Sequence, residues 1–226
     1  MAAKHDRSKP HRHELPLHSS AALAFFPTKR KEVQGRSSDL FVSAKATGAI
    51  PARHPALRDA LILTSLDPKV HSLSYIATAV VASQQVDLSA IVVQRDDGRF
   101  LLDVVEARRI RNLEDEGLAL IAVSELGLKP WVISRKELRR EPRYTNAQFV
   151  WLYNDHRVAP ALRKRILRAL LDKESLQLGE LERSVRSDRD PSPDVMALVC
   201  AGELELDLTT QPVQLTTTVA LRGVHG

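Results

Sequence analysis

Asp87, Asp103 and Glu106 are the residues of this chain most able to do chemistry. They stand within residues 86–109, VDLSAIVVQRDDGRFLLDVVEARR, a stretch otherwise dense in β-branched and aliphatic side chains. A carboxylate in apolar surroundings is costly unless it is paired or bound to a cation. Three carboxylates here therefore point either to a cation site or to ion pairs and strand caps, with arginines such as Arg99 as partners.

The elements that must position them follow from the local pattern. Residues 86–93 read as one strand, Asp96-Asp97-Gly98 as a hairpin turn, and residues 100–106 as the return strand. So dense an apolar run predicts strands buried on both faces. Upstream, Pro55 opens a helix carrying Leu57, Ala60 and Leu61, which Asp67-Pro68 ends. Residues 70–81 predict one or two strands with a bend at 72–75. Downstream, residues 108–116 predict a charged helix stopped by Gly117, residues 118–123 a short buried strand, residues 124–126 a brief helix, and residues 131–133 a last strand. Ser134 and Glu137 have capping-box spacing. Alternating helices and strands predict an α/β fold, a mixed sheet with helices on its faces.

From Arg143 the pattern turns helical. Thr145 and Gln148 form a second capping-box match, Pro160 opens a helix with Leu162, Ile166, Leu167 and Leu170 along one side, and residues 178–185 form a third. Ser192 reads as the N-cap of a helix that runs to Ala201 and stops at Gly202. Residues 203–208 alternate, and 213–221 return. Three helices and a hairpin predict a small winged-helix-like domain. The expected divisions are residues 1–50, a disordered basic tail; 51–142, the α/β domain; and 143–226, a helical linker and winged-helix-like domain.

Charge is unevenly placed. Residues 1–36 hold eight basic and three acidic side chains, which accounts for the whole net charge of +5. A basic tail with Lys29, Arg30 and Lys31 adds salt-sensitive affinity for nucleic acid, or serves only to solubilise. His5, His11, His13 and His18 lack the spacing of a structured metal site. Further basic side chains fall at Arg135, Lys136, Arg139, Arg140 and Arg143 and at Arg163, Lys164, Arg165 and Arg168, where they either contact DNA or are simply solvated. The single cysteine, Cys200, excludes an intramolecular disulfide and a cysteine-cluster metal site. No apolar run approaches the ~20 residues of a membrane span, and no signal-like segment is visible. A cytoplasmic setting without membrane contact is expected.

The elements 57–70, 86–88 and 97–105, together with Ala201-Gly202-Glu203-Leu204 through Asp207-Leu208, resemble the TnsA-type endonuclease subunit of heteromeric transposases. That family joins a restriction-endonuclease-like (PD-D/ExK) domain to a winged-helix domain. The resemblance covers roughly residues 54–221. It implies Mg²⁺ held between Asp87 and Asp103, with a helix carboxylate near positions 57–59, where Asp59 stands one register out, and a Lys at 105. This chain has Val105. Another register takes Glu106-Ala107-Arg108 as the catalytic run, but Arg is no base at neutral pH, and Glu106 faces away from Asp103 in a regular strand. The resemblance thus implies a nuclease-derived fold impaired in cleavage, in a DNA-binding or DNA-transaction accessory protein with a transposase-like or regulatory protein partner. The alternatives are an active Mg²⁺-dependent endonuclease subunit, and a protein-interaction module with no nucleic-acid role. The candidate recognition helix, residues 193–201, PDVMALVCA, carries no base-reading side chain, and Glu203, Glu205 and Asp207 beside it would repel phosphate.

Overall fold

A computed structural model describes residues 39–185, 187 and 189–223. The expected hairpin is its centre. β3 (Val70–Val81) and β4 (Gln84–Arg95) pair antiparallel, β5 (Gly98–Val104) returns along β4, and β6 (Lys129–Ile133) adds parallel to β5. The result is a mixed four-stranded sheet in the order β3-β4-β5-β6. A tight turn at Asp96 and Asp97 joins β4 to β5, and Gly98 takes a φ of 136° that a side chain would resist. β3 is a single strand. Its register with β4 shifts twice, between Val70 and Ser72 at the edge of the expected bend and again between Ile76 and Thr78. Between the pairs Ile76–Ala90 and Thr78–Asp87, β4 carries one residue more than β3, and Ser89 there adopts a φ of 44°. This bulge bends the hairpin arm.

α1 (Pro55–Leu66) and α2 (Leu113–Glu125) flank the sheet. His54 caps α1, its Nδ1 accepting the Ala56 N–H at 3.2 Å. Beneath α2, Val81, Val86, Leu88 and Ala90 pack on Ala119 and Ala122. α2 corrects three expectations at once. Residues 108–112 are irregular, Asn112 caps the helix by accepting the Asp115 N–H at 2.8 Å, and one helix continues through Gly117 and the run expected to be a strand. Nothing packs where a Gly117 side chain would stand, so that glycine interrupts no contact.

Residues 39–50, grouped with the tail on sequence, are folded. β1 (Leu40–Phe41) pairs with β2 (Ile50–Pro51), Phe41 and Ile50 are fully buried, and Phe41 stacks on Trp151 at 5.2 Å. These two apolar anchors are too few to give a periodic signal, and backbone bonds of Lys45 and Thr47 with Leu73 add to their hold on the segment. Residues 1–38, which carry Lys29, Arg30 and Lys31, lie outside the described residues.

After the Ser134–Glu137 capping box that starts α3 (Arg135–Leu138), α4 (Arg143–Trp151) begins two residues before the expected cap at Thr145. Thr145 instead donates its hydroxyl to Glu141, and Asn146 becomes an interior helical residue. α5 (Pro160–Leu171), β7 (Ser175–Gln177), α6 (Leu178–Ser184), α7 (Ser192–Cys200), β8 (Leu204–Leu206) and β9 (Thr218–Leu221) follow. β7, unforeseen on sequence, joins a three-stranded sheet in the order β7-β9-β8. Ser192 is the first residue of α7 rather than its cap. Residues 213–217 form no strand, because Gln214 and Thr217 bond to each other in a turn.

Candidate functional site

β4 and β5 pair only between residues 92–95 and 98–101, after which β5 leaves β4 and follows β6. The first half of β4 therefore has no strand on that side among the described residues. Residues 108–112 run there as a strap. Arg111 donates to the Leu88 carbonyl at 2.9 Å, and Arg109 donates to Asp87 Oδ2 at 2.9 Å and to Ser89 Oγ at 2.6 Å.

The candidate carboxylates sit around this divergence, and each has a guanidinium of its own. Asp87, between buried Val86 and Leu88, points away from α2 by strand alternation. The Ser89 hydroxyl, with Arg109 beside it, holds the Asp87 carboxyl below the usual range. Asp103 shares the α2 side with Leu101, so alternation sets it opposite to Asp87. Arg108 grips it with two bonds, Nε to Oδ1 at 2.8 Å and Nη2 to Oδ2 at 2.6 Å. That pair raises the Arg108 guanidinium further above its ordinary value. Glu106 meets Arg135 at 3.6 Å. Asp59, on α1, forms an ion pair with Arg139 at 3.0 Å and accepts from the Gln148 amide at 3.1 Å and the Tyr144 hydroxyl at 3.3 Å. Burial nevertheless pushes the Asp59 carboxyl up, against the pull of Arg139, and the Glu106 charge adds to the rise.

Two geometric expectations fail at the end of β5. Val105 and Glu106 belong to a 3-10 turn, residues Val105–Ala107, so strand alternation no longer relates them to Asp103. Val105 is half-exposed on that turn. The structure does not bring Asp59, Asp87 and Asp103 together: among the described residues, no group of three His, Cys, Asp or Glu side chains is placed to hold a metal ion. Mg²⁺ takes near-octahedral oxygen ligands at about 2.1 Å, and these acids, dispersed and individually bound by arginine, do not fit it. The strap region also carries more acid than base. Asp87, Asp103, Glu114, Asp115 and Glu116 stand against Arg108, Arg109 and Arg111, so the divergence is no phosphate trap.

The basic side chains divide in two. Arg135, Arg139, Arg143 and Arg163 are engaged by Glu106, Asp59, Asp67 and Glu203 respectively, and Arg139 also stacks over the Tyr144 ring at 4.2 Å. Lys136, Arg140, Lys164 and Arg168 are exposed and form no ion pair among the described residues. Arg140 borders a groove of about 720 Å³ between the end of α1 and the β8–β9 hairpin. Lys69, Arg95, Arg140 and Arg143 in its lining are matched by Asp67, Glu141, Glu205 and Asp207, so the groove carries no net charge.

α7, read on sequence as the candidate recognition helix, is buried along its whole length apart from half-exposed Pro193. It packs on α4, α5, α1 and β8. Asp194, 1% exposed, is held by His156 at 3.2 Å and Arg189 at 3.8 Å. Asp207 spends its carboxylate on its own turn, and lies below its ordinary pKa chiefly through the Thr210 hydroxyl, with the Thr209 hydroxyl and the backbone N–H groups of Thr209 and Thr210 adding to it.

Two residues given no such role on sequence tie distant segments of the chain together. Asn146 donates to the Leu208 and Gln211 carbonyls at 2.9 and 2.8 Å and accepts the Val213 N–H at 3.0 Å. Lys45, 7% exposed, donates its ammonium to the Asp67 carbonyl at 2.6 Å. Nothing in the sequence marks either one, because both bond to backbone groups remote along the chain. No protein-family model matches the chain, and a search of curated proteins finds no match.

Proposed function

We propose that this chain is a DNA-transaction accessory protein, a nuclease-like α/β domain followed by a winged-helix-like module, and that it does not cut DNA. One observation carries the proposal: every carboxylate suited to catalysis is bound to its own arginine. A guanidinium neutralises a carboxylate without supplying the metal-bound water that phosphodiester hydrolysis needs, and it cannot act as a base at neutral pH. The order helix, strand, helix, helix, strand, strand in residues 160–221, with its sheet order β7-β9-β8, supports the winged-helix likeness. With α7 recessed, contact with DNA falls to phosphates, through Lys164 and Arg168 on α5, through Lys136 and Arg140, and through the basic residues of the N-terminal tail.

The test has two arms. Supercoiled DNA incubated with the full chain and Mg²⁺ or Mn²⁺ stays intact. Robust nicking that vanishes in Asp87→Ala would overturn the proposal. In the second arm, binding is weak to moderate and falls with salt. Lys164→Glu with Arg168→Glu lowers the log–log salt slope by about 2, since each phosphate contact contributes roughly 0.9. Deleting residues 1–36 lowers it further. The burial of α7 and the acids of β8 favour a second reading, a protein-interaction module, and absence of DNA binding even at low salt would select it.

A further inference from the structure

We infer that the outer face of α2 is a docking surface for a basic amphipathic helix of a partner protein. The inference stands apart from the DNA-binding proposal and needs no part of it. α2 buries Ala119 and Ala122 against the sheet, and on the opposite side it presents Leu113, Gly117, Leu120, Ile121 and Ser124. Leu113 is 91% exposed, Leu120 62% and Ile121 47%. A spacing of three and four residues is the seam of a helix pair, in which small residues let the partner backbone approach. Apart from the helix's own backbone, nothing lies within 4 Å of the place a Gly117 side chain would occupy, so that gap is open. Contiguous exposed apolar surface of this kind marks an interaction site.

Charge selects the occupant. Glu114 near one end of the row and Glu125 at the other share one flank and form no ion pair among the described residues, and Glu116 on the other flank is paired with Arg111, whereas the chain as a whole is basic. Nucleic acid is repelled from such a face. A second copy is disfavoured too. An antiparallel pair would set Glu125 against the neighbour's Glu114, and a parallel pair would set like against like. A helix with leucine-type side chains on its seam and lysine or arginine on its flanks satisfies both the row and its borders.

The experiment uses the full chain and two synthetic helical peptides, identical in their leucine seam, one with lysine flanks and one with glutamate flanks. Fluorescence anisotropy should give binding of the lysine peptide at least about tenfold tighter than of the glutamate peptide, weakening as salt screens the flanks. Leu120→Asp should weaken the lysine peptide about tenfold, and Glu114→Lys with Glu125→Lys should erase or invert the preference. Hydrogen exchange should slow in residues 113–125 when the peptide binds. All three positions are exposed, so the variants keep the fold, which circular dichroism checks. Lysine-peptide binding indifferent to both variants would overturn the inference. So would a concentration-dependent dimer, seen by sedimentation, that Leu120→Asp dissolves, because the face would then be covered by a second copy.

Discussion

Lys45 should make the stability of this protein rise between pH 8 and pH 10.5, and replacing it with Met should reverse sign across that window. Its side chain is buried, and its ammonium is lowered from 10.5 to about 8. Burial is the main cause and the Arg222 charge adds to it, against the opposing pull of Asp67 and Glu205. Below pH 8 both folded and unfolded chains hold the proton, and the folded state bears the full cost of the buried charge. Between pH 8 and 10.5 the folded form releases the proton while the unfolded form keeps it, so stability climbs with pH. A shift of this size corresponds to about 3 kcal/mol. Lys45→Met removes that cost but leaves the Asp67 carbonyl without its donor, a loss of about 1–2 kcal/mol. The variant should therefore be more stable than wild type by about 1–2 kcal/mol at pH 7 and less stable by a similar amount at pH 10.5. Urea unfolding of both proteins at half-unit pH steps measures the difference, and taking the difference cancels every other group that titrates in that range. A stability difference that does not change between pH 7 and 10.5 would refute the idea of a buried, destabilised ammonium.

Two further outcomes follow from buried groups. Asn146→Ala should cost about 2–4 kcal/mol in urea unfolding, because two carbonyls and one N–H of the β8–β9 connection lose a shared side-chain partner together. Cys200 is buried, its thiol lies 3.3 Å from the Val150 carbonyl, and burial with the nearby Asp155 charge pushes it up to about 12. It should react with an aromatic disulfide reagent only as fast as the chain unfolds, with a rate that grows with urea, and a fast reaction in buffer would contradict that burial.

Local chemistry made part of this fold legible. The β-branched run of β4, the Asp96-Asp97-Gly98 turn, the Ser134 capping box and the prolines at 55 and 160 each act within a few residues, and each appears at its expected place. What depends on distant partners was not legible. Phe41 and Ile50 look like stray apolar residues until Trp151 stacks on one of them. Thr145 has a cap's spacing, but the turn at Glu141–Pro142 starts the helix first. Around the carboxylates, the decisive partners stood in plain view. Arg108 lies five residues after Asp103, and Arg109 follows it. Reading 108–116 as a helix turned those arginines into surface charge, whereas the irregular strap turns them back onto Asp103 and Asp87.

The misreading of α2 and the docking face proposed for it have one cause. Residues 118–123, Leu-Ala-Leu-Ile-Ala-Val, contain no polar side chain, so the period of 3.6 that marks a surface helix is absent and a buried strand reads equally well. A helix apolar all round is ordinarily enclosed. α2 is enclosed on one side only, with Ala119 and Ala122 against the sheet and Leu120 and Ile121 in solvent. Burial in the sheet accounts for the alanines. It does not account for a leucine and an isoleucine on the far side, bordered by acids that form no ion pair among the described residues and by a glycine with open space where a side chain would stand. A second helix, basic at its flanks, accounts for all three features, and the peptide pair with opposite flanks decides whether it does so by charge as well as by shape.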